Sequence, residues 1–239
     1  MPNLIVKQNM ELQMYQTILV TGATSGIGYA LVEELTRQGY RVFATGRNQE
    51  ALTRLKQETG CLGETADLAD PAALLALYAS AEQALGPIDV LINNAGMNTR
   101  KAPLVDTTLE EFDLQYAINL RAPYLLAREA LKSMQPRGHG YLINVVSTVA
   151  KRSSETMGVY TAMKQGFAGL SQVMMKEAQP YGIKVTTLYP GGTDTGFRAQ
   201  ARPQYMQPAS VARTLVQLLN LPDDVVMHEM TFRPPVEVE

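Results

Sequence analysis

Short apolar runs alternate along the chain with segments whose apolar residues recur at helical spacing, and that alternation leaves few folds open. TILVT (17–21), YRVFATG (40–46), IDVLINN (88–94), YLINVVS (141–147) and IKVTTLYP (183–190) read as strands buried on both faces, with CLGETADL (61–68) as a shorter one. Between them, Ile27, Ala30, Leu31 and Leu35 share a helix face that Gly39 closes, and a second helix from Gln49 stops at Gly60. A third spans 71–85, with Asp70 as N-cap and Pro71 at its first position. Residues 110–134 read as one long helix stopped before Pro136, 160–179 as a helix ended by Pro180, and 209–219 as the last element. The spacing predicts the α/β class: a single-domain, Rossmann-like, doubly wound parallel sheet with helices on both faces. No internal repeat or flexible linker interrupts it, so one domain is expected over 16–239, after an N-terminal extension, 1–15, that carries no motif.

Composition narrows the function. Twenty-one basic against 23 acidic residues give a net charge of −2 with no block of like charge, so neither nucleic acid nor a membrane surface is an expected partner. Cys61 is the single cysteine and cannot form an internal disulfide. No apolar run reaches the roughly 18 residues that a bilayer requires, and the N-terminal MPNLIVKQNMELQMYQ has no signal-peptide core. A cytoplasmic protein acting on a small molecule is the expectation. His139, between glycines in RGHGY, and His228 read as structural or solvated, and no metal site is expected.

The first strand runs directly into TGATSGIG (21–28), which opens the first helix. Glycines at 22, 26 and 28 permit a tight turn and let the backbone approach a pyrophosphate, which the N–H groups and positive end of the helix then face. Such a triplet could serve any strand-to-helix turn; its place after the first strand of an α/β chain is what points to a dinucleotide. Tyr160 and Lys164 stand four apart and share a helix face. A phenol, with an ordinary pKa of about 10, is a poor acid–base group at neutral pH, and a neighbouring ammonium favours its phenolate. In isolation the same pair would be a surface tyrosine and a solvated lysine. Ser147 falls at the C-terminal end of a strand, where open α/β sheets bind ligands, and no G-x-S-x-G surrounds it to suggest a hydrolase nucleophile.

Further motifs stand in order: NNAG (93–96) after the fourth strand, Asn119 in AINLRAP, Ser147 thirteen residues before Tyr160 in YxxxK, and PGGTDT (190–195) after the sixth strand. With the TGxxxGxG loop they resemble the classical short-chain dehydrogenase/reductase family across about residues 16–232. The resemblance implies an NAD(P)-dependent oxidoreductase moving a hydride between nicotinamide and a carbonyl or secondary alcohol. Its catalytic positions correspond to Asn119, Ser147, Tyr160 and Lys164. By the family's roles, Tyr160 exchanges the hydroxyl proton and Ser147 positions the oxygen. Lys164 tunes Tyr160 and bonds the nicotinamide ribose, and Asn119 binds a water that links Lys164 to solvent. The implied cofactor residues are Gly22, Thr24, Ser25, Gly26, Ile27 and Gly28 in the loop, Asp67 and Leu68 at the adenine, and Asn94, Ala95 and Gly96 on the adenosine-ribose side. Pro190, Gly191, Thr193 and Thr195 would lie at the carboxamide end, and Tyr160 and Lys164 also contact the cofactor. A catalytically silent sensor or scaffold of the same fold would have no need of Tyr160, Lys164 or Ser147, and all three are present.

Gly46 ends the second strand where NAD-preferring members place an acidic residue, and Arg47 follows with a planar donor fork suited to a 2′-phosphate. NADP(H) is therefore expected over NAD(H), with Ser25 standing where some NADP-preferring relatives carry a second basic residue. On the substrate side GFRAQARPQYMQ (196–207) is a short segment. Arg198 and Arg202, with Lys151 and Arg152 after Ser147, either favour an anionic substrate or are ordinary solvated charge. Apolar residues on several faces of the helix carrying Tyr160 (Phe167, Leu170, Val173, Met174), together with the family's habit of pairing its two long helices, imply a homotetramer or homodimer.

Overall fold

The apolar runs form strands because helices cover both of their faces. A computed structural model describes residues 14–196 and 201–237; most of the expected N-terminal extension, and Arg198, lie outside the described residues. The strands β1 (Thr17–Thr21), β2 (Arg41–Gly46), β3 (Leu62–Thr65), β4 (Val90–Asn93), β5 (Tyr141–Val145), β6 (Lys184–Pro190) and β7 (Glu229–Phe232) form one sheet in the order β3-β2-β1-β4-β5-β6-β7. Every pairing is parallel. The helices are α1 (Gly26–Arg37), α2 (Gln49–Thr59), α3 (Pro71–Leu85), α4 (Leu109–Tyr116), α5 (Ala122–Met134), α6 (Gly158–Ala178) and α7 (Pro208–Val216). Ile18 and Val20 pack with α1, α2 and α7 on one face, while Leu19 and Leu91 pack with α3, α5 and α6 on the other.

Helix ends follow their sequence signals. Asp70 Oδ1 accepts from Ala72 N at 2.9 Å, and Gly60 closes α2 in the left-handed region at φ 73°. Two expectations are corrected. Residues 110–134 are not one helix: a π turn, Ala117–Arg121, separates α4 from α5 and carries Asn119. The last element is not the helix at 209–219, which ends at Val216 and continues as a 3-10 turn, Gln217–Asn220, before the edge strand β7. His139, expected to be structural or solvated, is partly exposed and stacks on Tyr15 at 5.2 Å with Nε2 3.6 Å from Asp89 Oδ1.

A polar chain crosses the apolar layer beside α6. Asn93 Nδ2 donates to Asn144 Oδ1 (3.0 Å), Asn144 Nδ2 to Ser171 Oγ (2.9 Å), and Ser171 Oγ to the Phe167 carbonyl (2.8 Å). All three side chains are buried. Asn144→Ala leaves Asn93 Nδ2 with only its 3.5 Å bond to the Pro123 carbonyl and takes from Ser171 Oγ the donor it accepts from, at about 1–3 kcal/mol in all. Urea unfolding is expected to show that loss; a loss under about 0.5 kcal/mol would mean that the chain of bonds is not structural.

Candidate active site

The glycine loop turns tightly at the C-terminal end of β1. Gly22 and Gly26 take φ of +67° and +53°, which side chains rarely adopt. Gly28 serves another purpose: a Cβ there would lie 2.2 Å from the Gly22 carbonyl oxygen. Neighbouring elements hold the loop in place. Asn94 N and Ala95 N each donate to Thr21 Oγ1 at 3.1 Å, Asn94 Nδ2 donates to the Thr21 carbonyl at 2.9 Å, and Ala23 N to the Thr45 carbonyl at 2.8 Å. Ser25, the N-cap of α1, makes no side-chain cap bond, so the first N–H groups of that helix are left for an anion. This cradle fits a pyrophosphate-bearing dinucleotide. Gly22, Thr24, Ser25, Gly26, Ile27, Leu68, Asn94, Ala95 and Gly96 line the same cavity, of about 830 Å³, as Pro190, Gly191, Thr193 and Thr195. Gly28 and Asp67 are not on its wall, and Asp67 Oδ1 accepts from Ala69 N at 2.9 Å.

Ser147, Tyr160 and Lys164 meet at that cavity, whereas Asn119 is not on its wall. Ser147, just past β5, caps the 3-10 turn Thr148–Ala150, its Oγ accepting from Val149 N at 3.3 Å. Tyr160 and Lys164 come from the first two turns of α6 and are 7% and 2% exposed. Lys164 Nζ donates to the Val145 carbonyl at 3.2 Å and lies 5.9 Å from the centre of the Tyr160 ring. Burial pushes the lysine down to about 8, so at neutral pH it is still mostly a cation. Asn119, fully buried, grips the chain after NNAG: Met97 N donates to its Oδ1 at 2.9 Å, and its Nδ2 donates to the carbonyls of Met97 (2.8 Å) and Gln115 (3.0 Å). The amide is thus engaged by backbone, and what it does directly is fix the strand-end loop against the end of α4 and the π turn that follows it. A Cβ at Gly96 would come within 3.2 Å of both Asn119 Oδ1 and Lys164 Nζ.

Around the rim, the placement of charge differs in part from expectation. Arg47 is exposed, lines the cavity beside Thr24 and Ser25, and has no hydrogen-bond or ion-pair partner among the described residues. Arg152 and Arg202 also line the cavity, but Lys151 does not belong with them. Its Nζ is 2.9 Å from Glu229 Oε2 and lies over the Tyr189 ring at 4.1 Å, a pairing set by β7. Tyr205 and Glu237 line the cavity as well and carry no motif that would mark them.

The family model described as short chain dehydrogenase matches residues 16–206. The chain belongs to that family. It is 33% identical over 236 residues to an uncharacterized short-chain type dehydrogenase/reductase of Sinorhizobium fredii, with 94% of this chain and 93% of that protein covered. Two solved structures are similar over the whole fold. One is the closed form of serine dehydrogenase complexed with NADP+, at TM-score 0.87 and 26% identity, covering 94% of this chain and 97% of that one. The other is an alcohol dehydrogenase from the archaeon Thermococcus sibiricus complexed with 5-hydroxy-NADP, at TM-score 0.86 and 26% identity, covering 94% and 98%. No helix among the described residues is long and apolar enough to cross a membrane.

The buried lysine of this short-chain dehydrogenase has a measurable consequence. Between about 8 and the ordinary lysine value of 10.5, the unfolded chain binds more protons at Lys164 than the folded protein does, so the lysine's cost is full below that window and gone above it. Cofactor-free Lys164→Met should therefore melt higher than wild type at pH 7, with the gap closing toward pH 10.5. A gap that is absent at pH 7 would contradict the burial of a charged lysine.

Proposed function

We propose that the protein is an NADP(H)-dependent oxidoreductase that interconverts a carbonyl and a secondary alcohol on a small substrate. The observation that carries the reading is the convergence of Ser147, Tyr160 and Lys164 on one cavity with the glycine cradle. When bound, the nicotinamide supplies the hydride for reduction and accepts it in oxidation. Ser147 Oγ, at the strand end, donates to the substrate oxygen and aims it at Tyr160. In reduction Tyr160 gives that oxygen its proton as the C=O becomes CH–OH; in oxidation it takes the proton back. The Lys164 cation favours the phenolate and so makes the exchange easier near neutral pH. Asn119 contributes by holding Met97, which keeps the NNAG turn, and with it the cofactor side of the cavity, in place.

The cofactor preference rests on Gly46 and Arg47. A Cβ at Gly46 would lie 2.4 Å from Thr24 Oγ1, so no acidic side chain fits there to accept from a ribose 2′-hydroxyl. Arg47 beside it, whose guanidinium has no partner among the described residues, offers its donor fork to a 2′-phosphate. The NADP complexes of the two similar structures agree with this direction. Thr193 and Thr195 would hold the carboxamide, with Thr195 packed on Gly26, where a Cβ would meet it at 3.0 Å.

A homodimer or homotetramer is part of the same reading. Leu109 (69% exposed), Phe112, Tyr116 and Tyr124 present apolar surface around α4 and α5, and Val173 does so on α6, whereas Phe167 and Met174 belong to the core. A sedimentation mass near the 26.2 kDa of one chain would contradict it.

Tyr160→Phe is expected to lower kcat by about a hundredfold or more while leaving the NADPH dissociation constant within about twofold of wild type; full activity in that variant would remove the mechanism. Arg47→Gln should weaken NADPH roughly tenfold or more and leave NADH unchanged, because one charge-assisted contact of this kind is worth about 1.5–3 kcal/mol. Equal weakening for both cofactors would show that Arg47 does not read the phosphate.

A further inference from the structure

The two glycines of PGGTDT are not required by backbone conformation, since neither Gly191 nor Gly192 has a positive φ. Space explains both. A Cβ at Gly191 would lie 2.5 Å from Glu237 Oε2, and one at Gly192 would lie 2.6 Å from Glu237 Oε1 and 2.4 Å from the Tyr205 ring. The glycines make room for the Glu237 carboxylate and, at Gly191, also for Arg233, whose Cγ a Cβ there would meet at 2.9 Å. Gly191 N donates to the Phe232 carbonyl of β7 at 2.8 Å. The chain then turns, Glu237 N donating to the Pro234 carbonyl at 3.0 Å, and Gly192 N donates to both Glu237 oxygens at 3.2 and 3.1 Å. Glu237 thereby becomes part of the wall of the cavity that holds Ser147, Tyr160 and Lys164. It lies beyond the residues 16–206 that the family model matches.

Tyr205 stands between that carboxylate and a cation. One edge of its ring faces Gly192, while its hydroxyl accepts from Arg202 Nη1 at 2.9 Å and the guanidinium carbon lies 5.2 Å from the ring centre. Asp194 Oδ1 fixes the Arg202 backbone by accepting from its N–H at 2.8 Å. Among the described residues neither charge has an ion-pair partner: the Glu237 carboxylate accepts from Gly192 N, and the Arg202 guanidinium donates to the Tyr205 hydroxyl. Opposite charges held one aromatic ring apart on a single cavity wall are complementary to a ligand that carries both signs.

We infer that Glu237 and Arg202 are the substrate-recognition pair, Glu237 binding the ammonium and Arg202 the carboxylate of a small hydroxy amino acid or its keto form. A purely anionic substrate would meet Arg202 but face repulsion from Glu237, so the carboxylate supplies selection against it. The inference rests on the proposed oxidoreductase reading and names the substrate class of that same site. In oxidation the carbinol C–H gives its hydride to NADP+, the hydroxyl proton goes to Tyr160, and a C=O forms.

The test uses full-length protein saturated with NADP+. The substrate probes are the four stereoisomers of 2-amino-3-hydroxybutanoate, their N-acetyl derivatives and their methyl esters, with kcat/KM read from NADPH formation. The best zwitterion should exceed its N-acetyl derivative, and separately its ester, by about tenfold or more. Glu237→Gln should bring the N-acetyl ratio to within about twofold, and Arg202→Gln should do the same for the ester ratio while sparing the N-acetyl ratio. A melting curve shows whether each variant folds; where one does not, the other variant and calorimetric titration of the zwitterion into the wild-type NADP+ complex decide. A wild type that prefers the N-acetyl derivative, or ratios unchanged in the folded variants, overturns the inference. Uncharged ketones assayed alongside with NADPH separate the two failures: their turnover without preference for the zwitterion overturns the recognition pair alone, and turnover of nothing overturns the oxidoreductase reading as well.

Discussion

A buried amide, Asn144, ties α6, the helix of Tyr160 and Lys164, to the sheet. It accepts from Asn93 on β4 and donates to Ser171 on α6, whose hydroxyl bonds the helix's own Phe167 carbonyl. Two strands and one helix are thereby joined through groups that have no water to fall back on, where a misplaced partner is expensive. The site inherits that rigidity. NNAG leaves β4 at Asn93, Ser147 follows β5 by two residues, and Tyr160 and Lys164 ride on α6. Three pieces of the candidate site therefore come from one locked unit, and their relative placement does not depend on the loops between them.

The rest of the site is built where the strands end. In a doubly wound sheet the crevice at the carboxyl ends of the strands collects loops from both faces, and helix N-termini point into it. Here Thr21 serves as the junction, its hydroxyl taking the N–H groups of Asn94 and Ala95 so that the glycine loop and NNAG are held edge to edge. Asn119 performs the matching task on the other side by gripping Met97. It can do so because a π turn re-aims the helix at that position, and such turns often occur at functional sites. Lys164 is the energetic cost of the arrangement: a cation in a buried place, with the Val145 carbonyl as its hydrogen-bond acceptor and two aromatic rings within 6 Å of its nitrogen.

Much of this was legible in the sequence, for physical reasons. The glycine loop, NNAG, YxxxK and PGGTDT are short segments whose chemistry is local, and short unbroken apolar runs rich in β-branched residues fit strands buried on both faces. Features set by distant partners were not legible. The π turn leaves helical periodicity intact on either side of Ala117–Arg121, so 110–134 reads as one helix. The strand β7, EMTF, is a partly exposed edge strand and lacks an apolar run. Lys151 looks like a cavity cation until Glu229, 78 residues away, takes it. Nothing near Gly192 announces that a carboxylate 45 residues later will fill the space its missing side chain leaves.

The central claim is that this cavity brings a nicotinamide and a carbonyl carbon together for direct transfer. It is tested most directly by supplying NADPH deuterated at both C4 positions with a carbonyl substrate and locating the label by mass spectrometry and NMR. Direct transfer predicts one deuterium on the carbinol carbon of the product, formed more slowly by about a hundredfold or more when Tyr160 is replaced by Phe. An unlabelled carbinol carbon, or label exchanged into water, would contradict it.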